Sequence, residues 1–140
     1  MIRIIYIFLI NFLILNHAYA LIEVDITRGN LDPLPIAVSP LHVDIKSEEI
    51  KDIKVKDLGI NISEIIEKNF RNTGLFNPLK KDAFVQKPDI AHLKPRFEDW
   101  RLIKAQALVT GKLLIKGGKL KVEFRLWDLT AAQEMTALAF

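Results

Sequence analysis

Residues 105–115 and 119–128 are two apolar-rich runs separated by Lys116, Gly117 and Gly118. Gly-Gly is a favoured two-residue hairpin connection, because both central positions can take positive φ without a Cβ clash. That turn sets Lys116 opposite Lys119, and every later pair follows from it. Ile115 then meets Leu120, Leu113 meets Val122, Gly111 meets Phe124 and Val109 meets Leu126. This face is wholly apolar, with Gly111 leaving room for the Phe124 ring. The other face pairs Lys112 with Glu123, Thr110 with Arg125 and Leu108 with Trp127. A slip of one residue would mix the two faces, so the pattern itself selects the register. One face is expected to be core and the other partly wet, as in antiparallel sheets. Beyond Asp128 the chain reads as a turn and another strand, ending on the apolar Phe140.

Upstream of the hairpin, Leu58, Ile62, Ile65, Ile66 and Phe70 recur at helical spacing. Asn61 with Glu64 three residues later predicts a capping box at the helix start. Lys68 and Arg71 complement the carbonyl end. Gly74 suits a left-handed cap, with Leu75 and Phe76 folding back on the helix and Pro78 stopping any continuation. A short strand is expected over residues 34–39, where Pro35 and Pro40 fit only ends or edges. Residues 46–57 interleave acidic and basic side chains and read as a solvated connection with at most a helical turn. Residues 80–95 are polar and proline-punctuated, with at most a short strand at Phe84 and Val85. Residues 96–105 read as a short helix carrying Phe97, Trp100 and either Ile103 or Lys104 on one side. Together these elements predict an α/β (α+β) domain. It consists of a small mixed β-sheet with one face covered by about two helices, and an antiparallel C-terminal hairpin.

The first twenty residues differ from the rest. Arg3 is their single charge, residues 4–15 are apolar apart from Asn11, and the stretch closes on Ala18, Tyr19 and Ala20. Small residues three and one before a cut are what signal peptidase accepts, so cleavage between Ala20 and Leu21 is expected. The apolar stretch is shorter than the roughly 20 residues that span a bilayer. The expected organisation is a cleaved signal peptide over residues 1–20 and one domain over residues 21–140, with no transmembrane segment after cleavage. The mature chain opens on Leu21, Ile22, Glu23, Val24, Asp25, Ile26, Thr27 and Arg28, whose alternation marks a half-buried strand.

Composition closes several functional classes. With no cysteine there is no disulfide framework, thiolate nucleophile, lipid-attachment cysteine or cysteine-ligated zinc. A net charge of +3 is too small to point to a nucleic acid. His42 and His92 stand fifty residues apart in unrelated contexts and read as surface residues rather than metal ligands. Ser39, Ser47 and Ser63 lie outside any Gly-x-Ser-x-Gly elbow. Gly117 and Gly118 precede no Gly-Lys-Ser/Thr, so they are not a phosphate loop. Glu98 and Asp99 are neighbours on a helix, where adjacent side chains diverge. Trp100 has helical apolar partners and reads as a packing aromatic. These readings predict a non-catalytic chain without catalytic, cofactor-binding or metal-binding residues.

Several ordered strings together are similar to the N-terminal domain of the TolB family, of the Tol-Pal system. They are Ile-Glu-Val-Asp-Ile-Thr-Arg-Gly (22–29), Leu-Pro-Ile-Ala-Val (34–38), Asn-Thr-Gly-Leu-Phe (72–76), Asp-Trp-Arg (99–101), Ala-Gln-Ala-Leu-Val-Thr-Gly (105–111) and Lys-Val-Glu-Phe-Arg-Leu-Trp-Asp (121–128). The resemblance implies a periplasmic binding protein that acts in outer-membrane integrity and in constriction during cell division. It also implies that the mature N-terminus, Leu21 to about Arg28, contacts a TolA-like inner-membrane protein. In the family a β-propeller follows this domain and binds the Pal lipoprotein. The sequence resembles only the part before the propeller and stops within the last hairpin, so it reads as a truncated fragment without the Pal-binding part. Two other readings stay open at this point: an exported regulator of a cell-wall enzyme, and a non-functional gene remnant.

Overall fold

The computed structural model describes residues 32–44, 55–116 and 119–140. The leader, the N-terminal strand expected over 21–28, most of the charged connection and the Gly117-Gly118 turn lie outside the described residues. The elements in order are β1 (Leu34–Val38), β2 (His42–Val43), α1 (Val55–Thr73), β3 (Phe76–Pro78), a 3-10 turn (Lys81–Ala83), α2 (Pro88–Ala91), α3 (Phe97–Leu102), β4 (Ala107–Lys116), β5 (Lys119–Asp128) and β6 (Gln133–Ala139). The strands form one sheet in the order β3-β1-β4-β5-β6, with β2 also on β4. β1 and β2 run parallel to β4 and β3 parallel to β1, while β4, β5 and β6 are antiparallel. The mixed α+β architecture is therefore as expected.

The hairpin register is also as expected, pair for pair, from Lys116 opposite Lys119 to Leu108 opposite Trp127. The reason for Gly111 differs from the one the sequence suggests. A Cβ there would meet the Glu123 carbonyl oxygen at 2.6 Å and the Leu41 side chain at 3.0 Å. The closest demands on that space come from the β5 backbone and from Leu41. Leu41 lies in the loop that carries the chain from β1 to β2 along the same side of β4, and it is buried.

Helices lie on both faces of the sheet, not on one. On one face Ile36, Val38, Ala107 and Val109 pack with Ile66 and Phe70 of α1, and with Phe76, Phe124 and Leu126. On the other, Ala37, Leu108 and Trp127 pack with Ala91 of α2, Trp100 of α3 and Leu129, flanked by Phe84 and Phe97. Because successive strand residues point to opposite faces, the run Ile36, Ala37, Val38 requires apolar cover on both sides. All three are fully buried. Pro35 sits near the start of β1, where it offers its carbonyl to the Gln106 amide at 2.9 Å and needs no N–H of its own.

α1 begins six residues before Asn61, so Asn61 and Glu64 are helix interior and form no capping box. Asp57 occupies the first turn instead, where a carboxylate opposes the helix dipole favourably. The inward stripe runs through the buried Gly59 and Ser63 and the half-buried Ile66 and Phe70, which leaves Ile65 59% exposed. The Ser63 hydroxyl donates to the Ile60 carbonyl at 2.7 Å. At the other end Gly74 adopts φ +72° and its N–H reaches the Arg71 carbonyl, as a left-handed cap requires. Phe76 folds back to 4.8 Å from Phe70, whereas Leu75 is exposed. Pro78 is more than a stop, since it ends the edge strand β3 opposite Ile36.

Phe84 and Val85 are not a strand. Phe84 closes the 3-10 turn and sets its ring 5.0 Å from Trp100, and Val85 faces solvent. α3 carries Phe97 and Trp100 inward as expected, with Ile103 half-buried and Lys104 exposed at φ +62°. The Trp100 indole donates to Gln86 Oε1 at 2.9 Å, and the same oxygen accepts the Arg96 amide. No helix among the described residues is long and apolar enough to cross a membrane.

Candidate interaction surfaces

The residues singled out as partner-binding, 21–28, and the cleavage junction Ala20–Leu21 lie outside the described residues. The described chain begins at the exposed Asp32 and enters β1 at Leu34, whose N–H donates to the Leu75 carbonyl at 2.9 Å. β1 is flanked by β3 on one side and β4 on the other. Both of its ladders are occupied.

A first surface lies beside α1. The helix covers β1 and β4, but the sheet extends two strands further. An open cleft of about 280 Å³ lies between the helix and those strands, lined by Ile66, Phe70, Val109, Phe124, Leu126 and Leu138 among others. Leu138 is 56% exposed and Phe140 74%, with the Phe140 ring edge-on to Phe124 at 6.4 Å. The sequence marked this hairpin face as apolar, and among the described residues no helix covers its β5–β6 side. Arg125 borders it only along the strand between Phe124 and Leu126, its guanidinium being engaged with the His92 and Leu93 carbonyls. Its described lining is apolar apart from Thr136 and Arg125, so what the cleft offers is apolar contact.

A second cluster lies on the opposite face, where Lys112, Glu123 and Arg125 make the wet side of the hairpin. His42 and His92 stack here with ring centroids 4.2 Å apart and planes 3° from parallel. Nothing in the sequence signals this contact, because it depends on the β2–β4 register and on where α2 delivers the chain. His92 Nδ1 lies 3.0 Å from the Pro88 carbonyl. Arg125 donates to the His92 and Leu93 carbonyls at 3.3 Å, and Lys112 pairs with Asp44 at 3.2 Å. A cavity of about 150 Å³ adjoins the pair. Stacked rings point their in-plane nitrogen lone pairs along parallel planes, which suits packing rather than shared metal ligation. No group of three or more metal-ligating side chains occurs among the described residues.

Burial, then the His92 and Lys112 charges, hold His42 below its ordinary value of 6.5, against the opposing pull of Asp44 and Asp89. As pH falls the unfolded chain protonates His42 first, so stability is expected to decline as pH drops below 6.5 and through the lower folded value. A ring-proton NMR titration should place the His42 midpoint below 6.5, and His92→Ala should move it upward. A midpoint unmoved by that substitution would contradict the stacked arrangement.

The other polar candidates have structural partners. Glu98 pairs with Arg101 at 2.8 Å and Asp99 with Arg96 at 2.6 Å, in separate directions. Ser39 and Ser63 are buried and donate to backbone carbonyls, and Ser47 lies outside the described residues. Trp100 is 1% exposed, a packing residue as read.

Comparison with known proteins follows the same line. Residues 22–135 match the family model of the TolB amino-terminal domain. The Tol-Pal system protein TolB of Pelagibacter ubique (strain HTCC1062) is 63% identical over 137 residues. That alignment covers 96% of this chain and 31% of the relative, so the chain spans about a third of that relative's length. Among solved structures, TolB from Acinetobacter baumannii superposes with a TM-score of 0.58 at 16% identity, covering 78% of this chain and 23% of that one. The LpoB C-terminal domain from Escherichia coli reaches a TM-score of 0.55 at 8% identity, covering 80% of this chain and 84% of that one. These two likenesses speak for the fold.

Proposed function

The chain belongs to the TolB amino-terminal domain family, and from that membership we propose that it is a non-catalytic, periplasmic protein–protein interaction module of the Tol-Pal system. In this reading it serves outer-membrane integrity and constriction during cell division, and residues 21–28 engage a TolA-like inner-membrane partner. The observation that carries it is the family match over residues 22–135 together with 63% identity to a TolB protein.

The proposed mechanism is strand addition. Backbone N–H and C=O groups of residues 21–28 pair with a partner's sheet edge, and side chains on alternate faces give selectivity. Supporting this, both ladders of β1 are taken by β3 and β4 among the described residues, so β1 itself offers no edge to a partner. Leader removal after Ala20 supplies the free N-terminus that the mechanism uses. Pal capture belongs to the propeller in this family and is not part of the proposal.

The test is capture of a TolA periplasmic domain by residues 21–140 and by a chain lacking residues 21–28. Loss of capture on deletion is expected, with circular dichroism of both chains recorded so that a loss through unfolding is told apart from a loss of the contact. Equal capture by both chains would refute the assignment.

A further inference from the structure

The two ends of the sheet are protected very differently. β3 is three residues long and ends in Pro78, which blunts that edge. β6 spans seven residues, and from Met135 through the following Phe140 there is no charged side chain, proline or glycine. Its irregularity falls early, where Thr136 faces Leu126 but Glu134 faces Trp127, leaving Met135 as the extra residue. From Thr136 onward the ladder is regular.

The hydrogen bonds fix which groups face outward. Phe140 and Val122 exchange both backbone bonds, at 2.9 and 3.0 Å. Such pairs alternate along an antiparallel ladder. Leu138 opposite Phe124 and Thr136 opposite Leu126 therefore also turn their amides inward. Ala137 and Ala139 turn theirs out, to an edge that no strand occupies among the described residues.

We propose that this edge is a self-association surface, on which two copies of the chain join β6 to β6, antiparallel, about a two-fold axis at Leu138. In that register Ala137 exchanges both backbone bonds with Ala139 of the second copy, and Ala139 with Ala137. Every outward amide and carbonyl of the regular stretch is then satisfied. Leu138 meets its own counterpart in a closely spaced pair on the apolar face, and Thr136 meets Phe140. Glu134, the single charge of the strand, falls outside the paired stretch and already lies 3.7 Å from Arg125. No like charges oppose one another. A two-fold contact needs a patch complementary to itself, and this strand is one. The association covers Leu138 and Phe140, two of the most exposed apolar side chains beside the cleft. One short strand pair is a small interface, so the dimer is expected to be concentration-dependent. It uses none of residues 21–28 and stands or falls separately from partner capture.

The absence of cysteine permits a direct test with residues 21–140. In the proposed register Leu138→Cys brings two thiols together at a closely spaced pair, within disulfide reach. Ala137→Cys does not, because the axis offsets residue 137 from its own copy by two positions. Rapid oxidative dimerisation of L138C, far faster than of A137C, is expected. Ala137→Pro removes one outward N–H from each copy while leaving the β5 ladder intact. Sedimentation should show about a tenfold weaker dimer for A137P, with the far-ultraviolet spectrum reporting that the fold persists. Ala139→Pro provides the same test at a second site. The proposal is overturned if the unsubstituted chain stays monomeric across the concentration series, if L138C and A137C oxidise alike, or if both proline variants dimerise as well as the parent. Monomer that dimerises only after removal of residues 21–31 would assign the edge to the chain's own N-terminal segment and would equally overturn it.

Discussion

A Trp100→Ala chain is expected to lose about 3–5 kcal/mol of folding stability, a large part of the 5–15 kcal/mol (approximately) that holds a domain of this size. Trp100 is 1% exposed and is the largest of the fully buried side chains. Its ring lies edge-on to Phe84 at 5.0 Å, within the cluster that joins α2 and α3 to the sheet through Ala37, Leu108 and Trp127. Truncation leaves a ring-sized void at the centre of that cluster. It also removes one of the two donors to Gln86 Oε1, a side chain only 3% exposed, although the Arg96 amide remains. Trp100→Phe separates the two contributions. It keeps most of the packing and loses the indole N–H, so a cost of about 1–2 kcal/mol is expected. Urea unfolding followed by circular dichroism should rank the parent above W100F and W100F well above W100A. Equal midpoints for W100A and the parent would show that α3 is not anchored by this ring.

The hairpin was legible in the sequence because two independent signals agreed there. A Gly-Gly pair set the turn, and a one-residue slip would have mixed apolar and polar faces. The existence of α1 was legible for the same kind of reason, since Ile62, Ile66 and Phe70 recur over several turns. Its start was not, because Val55 to Leu58 lies in a charged stretch and Asn61 with Glu64 imitates a cap. Gly59 adds to the disguise, for glycine weakens a helical pattern unless packing demands it. β2 and β3, of two and three residues, owe their existence to their partners on β4 and β1 and leave no periodic trace. The second core was hidden because Phe84, Trp100, Trp127 and Leu129 are scattered through loops, short helices and a strand end. The same holds for the His42–His92 stack. For the interaction surfaces, the N-terminal segment was marked by its alternation and by family resemblance. The open cleft and the β6 edge required knowing which strand lies outermost.

Gly59 carries the second large expectation. At an exposed helix interior, replacing glycine by alanine gains about 1 kcal/mol. Here the sign should reverse, with a net loss of about 1–3 kcal/mol from overpacking. A Cβ on Gly59 would press into the Leu41 carbonyl oxygen and come within 3.3 Å of Val43 Cγ2. The obstacle is backbone, which cannot swing aside as a side-chain tip can. The approach is also held by a hydrogen bond, since the Leu41 N–H donates to the Gly59 carbonyl at 3.2 Å. Relief therefore requires α1 to lift from the β1–β2 loop or the loop to shift over β4. The second route is closed by Gly111, where Leu41 already sits within 3.0 Å of a would-be Cβ. Asn61→Ala, two residues along and exposed, is the matched control. As a helix-interior site it should gain a few tenths of a kcal/mol by propensity, whereas loss of a true N-cap would cost about 1 kcal/mol. Thermal unfolding of the two variants is thus expected to move in opposite directions, G59A below the parent and N61A slightly above it. A stabilised G59A would mean that the β1–β2 loop yields freely to the helix, and a destabilised N61A that the helix begins at Asn61 after all.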